Sequence, residues 1–414
     1  MISQNVGSET NVKLPFAFFA FSFLALLASQ IILILNGTDF SSGNFRSSSI
    51  LSAAHLFILG WTLMIAMGSM YQLVPVAFLT PIWNEKFGFI QFGIFSVGVS
   101  SFGIFLYWSP QHALIPGIIT IIGVIMFLFQ MLMTLKKQAK PSILTLFVGT
   151  GLVSLLLTIS LGISLIISWK TGLFSSHYHP IFRTHLLFGV GGWFTLLIFG
   201  FSYKMVPMFS LSHGYSMGLA KYVYFAYVSG LLLTVLAFFT DQDILLKVGF
   251  LLLFISFSLF AWHISTIIKK RIKKKLDKPF IYSLIAIGFG LLFHFLLFIS
   301  LFTENSNDLI GPLLFLYIML WIVLSILGYL YKIVPFLWWT HKYSKFVGKQ
   351  SVPALKDMIN EKRVILFLSS FIISCLLVYF GFIVQMFILV TVGLIHFSLT
   401  IIATTIDIFQ VILK

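Results

Sequence analysis

Long apolar stretches, separated from one another by short polar segments, dominate this chain of 414 residues. A helix needs about 20 apolar residues to cross the hydrocarbon core of a bilayer. The pattern therefore predicts an all-α polytopic membrane protein with about twelve transmembrane helices. The predicted spans are residues 14–35, 49–73, 87–107, 113–135, 142–168, 182–206, 218–240, 243–268, 280–302, 312–334, 364–382 and 386–411.

The spans at the two ends of the series are the least clearly marked. The first apolar stretch begins near Leu14 and has the position of a secretory signal peptide. It is about 22 residues long and no small-residue cleavage pattern precedes Asn36, so we interpret it as the first span. Only Gly381 and Gln385 indicate a turn between the last two spans.

A short motif recurs in the second, sixth and tenth predicted spans. It reads Trp-x6-Gly-x2-Tyr-x2-Val-Pro and begins at Trp61, Trp193 and Trp321. Because these spans are four apart, the motif predicts three pseudo-symmetric four-helix repeats within a single transmembrane domain of residues 1–414. The three repeats extend approximately over residues 14–135, 142–268 and 280–411.

Physical chemistry suggests a structural role for three of the recurring positions of this motif. The Gly permits close approach of a neighbouring helix, as small residues do inside membranes. The Pro is expected to end each helix near the inner surface, since the residue before a Pro avoids the helical region. The Tyr is expected to lie at that interface with its hydroxyl toward the headgroups. We therefore interpret the motif as scaffold.

Composition agrees with a membrane protein and excludes several kinds of site. Hydrophobic residues make up 59% of the chain and charged residues 9%, whereas soluble domains carry about 25% charged residues. The lone Cys375 lies in an apolar run, which indicates a small core residue and excludes a disulfide, a CxxC zinc site and covalently attached haem. We expect no nucleic-acid binding despite the net charge of +15, because no basic stretch lies in a soluble domain.

The basic residues indicate the orientation in the membrane. If the N-terminus is cytoplasmic, the inner loops collect all but four of the 26 Lys and Arg residues. This bias predicts a multi-pass protein of the plasma membrane, with both termini in the cytoplasm and the lipid bilayer as its first partner. The run from Lys269 to Lys275 is the densest. It could bind anionic lipids, although a topology anchor is the simpler interpretation.

Histidine is the ionisable residue that recurs inside the predicted spans. Asp407 is the one carboxylate within a span, so the row of buried acids that proton pumping would require is absent. His55 and His185 lie one to two turns from the outer surface, and His294 lies about eight residues from the outer end of span nine. Imidazole binds haem iron and copper. We therefore predict these three histidines as cofactor ligands, with a hydrogen-bonded link between helices as the alternative.

The remaining histidines favour less specific roles. His177 and His179 flank Tyr178 in a predicted outer loop, where an H-x-H pair can hold copper but is more often a solvated turn. For His263 and His396 we favour a polar link between helices.

At these residues the chain resembles subunit I of the haem–copper oxidases, nearest to the cbb-type oxidases and nitric oxide reductases. That family has twelve helices in three groups of four. One of its helices carries His-x-His, then Gly-Trp, Gly, Tyr and a hydrophobic residue before Pro. The first histidine binds the high-spin haem and the second the low-spin haem, eight and six residues before the Trp. His185 has the first spacing and His55 the second, on separate helices.

The chain also departs from that family. It has no His-His pair, it lacks the copper-site histidines of spans six and seven, and no counterpart of the cross-linked tyrosine is visible. Leu313 and Phe315 stand at the ligand spacings of span ten. The chain is thus similar to the divergent NnrS-type membrane proteins, which contain haem and copper.

The resemblance implies a haem-binding protein of respiratory electron transfer or nitric oxide handling, without a conventional oxygen-reducing copper site. Haem b would be bound by His55 and His185, with His294 as a possible further ligand, and copper is a weaker expectation at His55, His185, His177 and His179. Electron-donor or other respiratory subunits are the expected partners. The alternatives are a twelve-helix transporter and an assembly or sensor subunit without cofactor.

Overall fold

The computed structural model describes residues 11–303 and 306–414. Within these ranges twelve helices are long and apolar enough to cross a membrane, and no strand longer than an isolated bridge occurs. The predicted all-α fold with about twelve spans is therefore confirmed. The helices are α1 (Lys13–Leu35), α2 (Ser48–Phe78), α3 (Glu85–Trp108), α4 (Leu114–Leu135), α5 (Ile143–Thr171), α6 (Ser175–Ser210), α7 (Gly218–Thr240), α8 (Asp243–Lys269), α9 (Lys278–Ser300), α10 (Ile310–Phe346), α11 (Glu361–Ile383) and α12 (Phe387–Leu413).

The short turn between α11 and α12 lies where the sequence placed it. Gln385 has a φ of 52°, in the left-handed region that a reversal of the chain uses. Gly381 lies against the backbone of Val390, and an added Cβ there would come within 2.7 Å of the Val390 nitrogen. The absence of a side chain at Gly381 therefore lets the two helices pack closely next to the turn.

The contacts between residues divide the described chain into two compact units. The first contains residues 11–141, 330–363 and 394–414, and therefore α1 to α4 with the C-terminal parts of α10 and α12. The second contains residues 142–329, apart from the undescribed positions, and residues 364–393. The extents predicted for the three repeats stay a prediction.

The prolines of the recurring motif do not end their helices, contrary to the sequence prediction. Helix α2 continues past Pro75 to Phe78, and α6 continues past Pro207 to Ser210. In α10 the helix runs past Pro335 for more than two further turns. A Pro removes one backbone hydrogen bond, but apolar surroundings and tertiary packing favour helix strongly enough to tolerate this loss in membranes.

The tyrosines of the motif are also placed differently from the prediction. Tyr71, Tyr203 and Tyr331 are buried rather than turned toward headgroups. Each hydroxyl has a polar partner on another helix: Tyr71 donates to Gln91, Tyr203 lies 3.3 Å from His263 Nδ1, and Tyr331 donates to Asp407. A buried hydroxyl needs such a partner. These tyrosines therefore join helices within each unit.

The glycines of the motif do mediate close helix packing, as predicted. A Cβ added at Gly68 would lie 2.9 Å from Cβ of Phe18 on α1, and one at Gly200 would lie 3.0 Å from Cβ of Phe147 on α5. Gly328 meets Ser283 and the carbonyl of Pro279 on α9 in the same manner. In all three cases the neighbour is the helix that directly precedes in the chain.

Each motif Trp lies in a short π-helical segment that the sequence did not reveal. These segments are Leu56–Leu63, Leu187–Thr195 and Tyr317–Val323, within α2, α6 and α10. A π turn widens the helix and leaves carbonyls for other donors, and such turns are frequent at functional sites. The first two segments begin one and two residues after His55 and His185. The helix geometry therefore changes directly after both histidines.

Candidate functional site

His55 ends the first two turns of α2 and lies half-buried. Its Nδ1 is 2.7 Å from the carbonyl oxygen of Leu51, and its ring meets Phe102 of α3 edge-on. Because a carbonyl oxygen only accepts, Nδ1 carries the proton and Nε2 keeps its lone pair in the neutral ring. Histidines that bind metals have this arrangement, with the second nitrogen held by a carbonyl.

His185 on α6 also places its Nδ1 against a backbone carbonyl, but the carbonyl belongs to a different helix. Its Nδ1 is 2.9 Å from the carbonyl oxygen of Thr158 on α5. The ring rests against Gly162, where an added Cβ would lie 3.1 Å from the ring carbon Cε1. The glycine thus provides the space for the imidazole, and the Thr158 carbonyl assigns the proton to Nδ1.

His294 is enclosed in the second unit. It is 5% exposed, and its Nδ1 donates to the Gly290 carbonyl of its own helix α9 at 2.7 Å. The ring lies against Phe257 of α8 with 4.3 Å between ring centroids, and Nε2 faces the hydroxyl of Tyr317 at 3.5 Å. A metal at Nε2 would therefore have to displace Tyr317.

Thr195 of α6 connects Tyr317 to the motif tryptophan of α10. Its hydroxyl oxygen lies 2.9 Å from the Tyr317 hydroxyl and accepts the indole N–H of Trp321 at 3.1 Å. Thr195 in turn donates to the carbonyl of Val190 in its own π segment. Every donor of this cluster, which comprises His294, Tyr317, Thr195 and Trp321, therefore has an acceptor, because Tyr317 donates to Thr195 while His294 and Thr195 donate to backbone carbonyls.

The other two motif tryptophans differ from Trp321. Trp61 and Trp193 are 0% and 1% exposed. Neither indole N–H has a hydrogen-bond partner among the described residues. A buried donor without an acceptor costs about 1–3 kcal/mol. Among the motif tryptophans, the two without an acceptor lie on the helices that carry His55 and His185, and the one with an acceptor lies on α10. Trp338 on α10 is a further buried indole without an acceptor among the described residues.

The predicted site residues are divided between the two units. His55 belongs to the first unit, whereas His185 and His294 belong to the second. The neighbours of His185 and those of His294 named above have no residue in common.

The H-x-H pair lies on helix rather than in the predicted outer loop. His177 ends a turn of 3₁₀ helix and His179 lies in the first turn of the α-helix that follows, and both are exposed. His177 Nδ1 is 2.9 Å from the hydroxyl of Ser176. Residues two apart on a helix do not face each other, so this placement does not favour joint binding of one ion. No group of three or more potential metal-binding side chains occurs in the described parts of the chain.

Two further predictions concern residues without a cofactor role. His263 is a buried link between helices, as predicted, because its ring lies between the hydroxyl of Tyr203 and the carbonyl of Ser216. Cys375 is fully buried and forms part of the core.

Sequence reasoning missed the partners of His294. Tyr317 lies four residues before Trp321, and a spacing of four places both on one helix face. That signal was available. Nothing in the sequence marked Thr195, which lies 126 positions from Trp321.

Comparisons with known proteins support the fold. No protein-family model and no curated protein matches the sequence. Among solved structures, the chain is similar to one from a heme-copper terminal oxidase dimer determined by cryo-EM. The TM-score is 0.66 at 12% sequence identity, and the match covers 99% of this chain and 85% of the other. The chain therefore has the twelve-helix fold of a heme-copper terminal oxidase.

Proposed function

We propose that this chain is a haem-binding membrane protein of respiratory electron transfer or nitric oxide handling. The observation that carries the proposal is the pairing of histidines and indoles. On α2 and α6 an outer histidine precedes a buried Trp whose N–H lacks an acceptor among the described residues. Haem b has an iron that imidazole can bind, and it also has carboxylates that can accept hydrogen bonds. A bound group with acceptors would offset the cost of the buried indoles at Trp61 and Trp193.

The histidines fit this role to different degrees. His55 and His185 each have Nδ1 held by a backbone carbonyl, which supports Nε2 as the ligand atom. His294 fits less well, because the Tyr317 hydroxyl lies 3.5 Å from its Nε2, within a cluster whose donors all have acceptors. We therefore assign haem binding to His55 and His185, and copper at His177 and His179 remains a prediction only.

Electron transfer and nitric oxide handling are preferred to oxygen reduction for a reason in the sequence. Span ten carries Leu313 and Phe315 where the oxidases have haem ligands, and the chain has no adjacent histidine pair for copper. This preference rests on the resemblance to the family. A role beside electron-donor or other respiratory subunits rests on the same resemblance.

The optical spectrum of the purified protein tests the proposal. Protein made in haem-replete cells should show a Soret band and a pyridine haemochromogen of haem b. Both signals should fall by at least about half in His55→Ala and in His185→Ala, because each removes an iron ligand. His112→Ala and His213→Ala are matched controls, since these histidines are exposed at helix ends and should leave the spectrum unchanged.

Two outcomes would contradict the proposal: haem-free protein from haem-replete cells, or unchanged spectra in both ligand variants. Adding nitric oxide to the reduced protein then separates the two roles. A haem with an open coordination position changes its spectrum with nitric oxide, whereas a haem held by two histidines and devoted to electron transfer does not.

An assembly or sensor subunit without cofactor is the second candidate. The observation in its favour is the cluster around His294, in which every hydrogen-bond donor has an acceptor within the protein. In that case alanine at His55 or His185 would change thermal stability while the protein shows no haem spectrum.

A further inference from the structure

A dense basic segment, residues 269–275, joins α8 to α9. Its charged residues are Lys269, Lys270, Arg271, Lys273, Lys274 and Lys275. All of them except Lys273 are exposed. The positive-inside tendency accounts for basic residues in such a loop. It does not require that the loop have a defined structure.

The basic segment is nevertheless held in place by backbone hydrogen bonds to the loop that follows α6. Ser212 and Arg271 form an isolated antiparallel bridge. The amide of Ile272 donates to the carbonyl of Leu211 at 3.2 Å, and the amide of Lys273 donates to Ser210 at 3.4 Å. The ammonium of Lys270 reaches back to the carbonyl of Gly214. The charges are therefore presented on an ordered surface, which lowers the entropy that a ligand must overcome.

Few of these charges are neutralised within the protein. Lys273 pairs with Asp277 at 2.6 Å, and both side chains are partly buried. Lys269, Lys274 and Lys275 form no ion pair with a carboxylate in the described parts of the chain. The segment thus keeps an excess of positive charge, which attracts the anionic headgroups of a membrane surface.

Apolar side chains lie directly beside this charge. Ile272 is 69% exposed and Leu211, its partner in the backbone pairing, is 50% exposed. Met208, in the last turn of α6, is also exposed. A free phosphate ion would gain nothing from these three side chains. A phospholipid offers a phosphate for the lysines and acyl chains for the apolar surface.

We propose that the basic segment and the 210–214 loop form a binding site for the phosphate headgroup of an anionic phospholipid. Lys269, Lys274 and Lys275 hold the headgroup, and Ile272 and Leu211 contact the upper acyl chain. The site is independent of haem. The basic segment would then bind a defined ligand in addition to setting the topology. Topology alone would not require the loop to be ordered.

Native mass spectrometry of the full chain in neutral detergent tests this site. Delipidated protein is titrated with phosphatidylglycerol, phosphatidylcholine or inorganic phosphate. Each lysine near an anionic surface contributes about a five-fold gain in binding. Phosphatidylglycerol should therefore bind at least about ten-fold more tightly than phosphatidylcholine, and Lys269/Lys274/Lys275→Gln should lose this preference.

The chain offers a matched control in another inner loop. Lys345/Lys349/Lys356→Gln also removes three exposed lysines and should keep the affinity within about two-fold. The Arg version of the first triple variant should retain binding, and the single Lys274→Gln serves if the Gln triple does not fold. Equal loss in both Gln triples would overturn the site. So would equal binding of the two lipids, or full competition by inorganic phosphate.

Discussion

At the scale of single residues, the three motif tryptophans occupy equivalent positions but differ in their hydrogen bonds. The indole of Trp321 donates to Thr195. Those of Trp61 and Trp193 have no acceptor within the described residues. Tryptophans at identical motif positions thus differ in whether the indole N–H is hydrogen-bonded, because the acceptor comes from a neighbouring helix and not from the motif. This difference separates α10 from the two helices on which haem binding is proposed.

Thr195 provides a residue-scale prediction. Thr195→Val keeps the shape of the side chain but removes the acceptor for Trp321 and Tyr317. We expect a loss of about 1–3 kcal/mol in the free energy of unfolding, because two buried donors lose a partner. Thermal unfolding in detergent measures this loss. Thr240→Val is the control, since the exposed Thr240 hydroxyl bonds only to Leu236 of its own helix; an equal effect in both variants would contradict the prediction.

At the scale of helices, glycines allow one pair of neighbouring helices in each predicted repeat to pack closely. Between α3 and α4, Gly98 faces Thr120 and Gly123 faces Phe95. The same reciprocal arrangement occurs between α7 and α8, where Gly230 and Gly249 face each other. It also occurs between α11 and α12, where Gly381 faces Val390 and Gly393 faces Val378. Small residues allow helix backbones to approach within membranes, where apolar side chains alone give little driving force.

Gly98 and Gly93 on α3 give a matched test of this packing. A Cβ at Gly98 would lie 2.6 Å from the backbone nitrogen of Thr120, whereas Gly93 has nothing within 4 Å. Gly98→Ala should destabilise the protein by about 1–3 kcal/mol through overpacking. Gly93→Ala should be neutral, or stabilising by up to about 1 kcal/mol through helix propensity. Thermal unfolding of both variants measures the change in stability. Equal stability of the two variants would show that the contact at Gly98 is unimportant.

At the scale of the whole molecule, the orientation predicted from the basic residues is open to a direct test. Cys375, the single cysteine in the sequence, is fully buried, so it should not react with a membrane-impermeant thiol reagent. Cysteines can therefore be introduced singly at exposed sites without removing it. Ser176 lies near the predicted outer end of α6, and Lys349 lies in the predicted inner loop after α10.

We expect Ser176→Cys to be labelled in intact cells and Lys349→Cys only after the membrane is made permeable. Both substitutions are at exposed positions, so the difference reports the side of the membrane and not burial. Unsubstituted protein should remain unlabelled in both conditions. The reverse pattern would place the termini outside and contradict the predicted orientation.

The sequence by itself determined the number of spans, the register of the Trp–Gly–Tyr motif and the close packing at its glycines. These properties are local, because apolar length and small side chains act wherever the helix lies. Only the tertiary structure decided that the motif tyrosines are buried, that the prolines lie within helices and that Trp321 meets Thr195. A hydrogen bond partner or a compensating contact comes from residues far away in the chain. Periodicity along one helix carries no information about them.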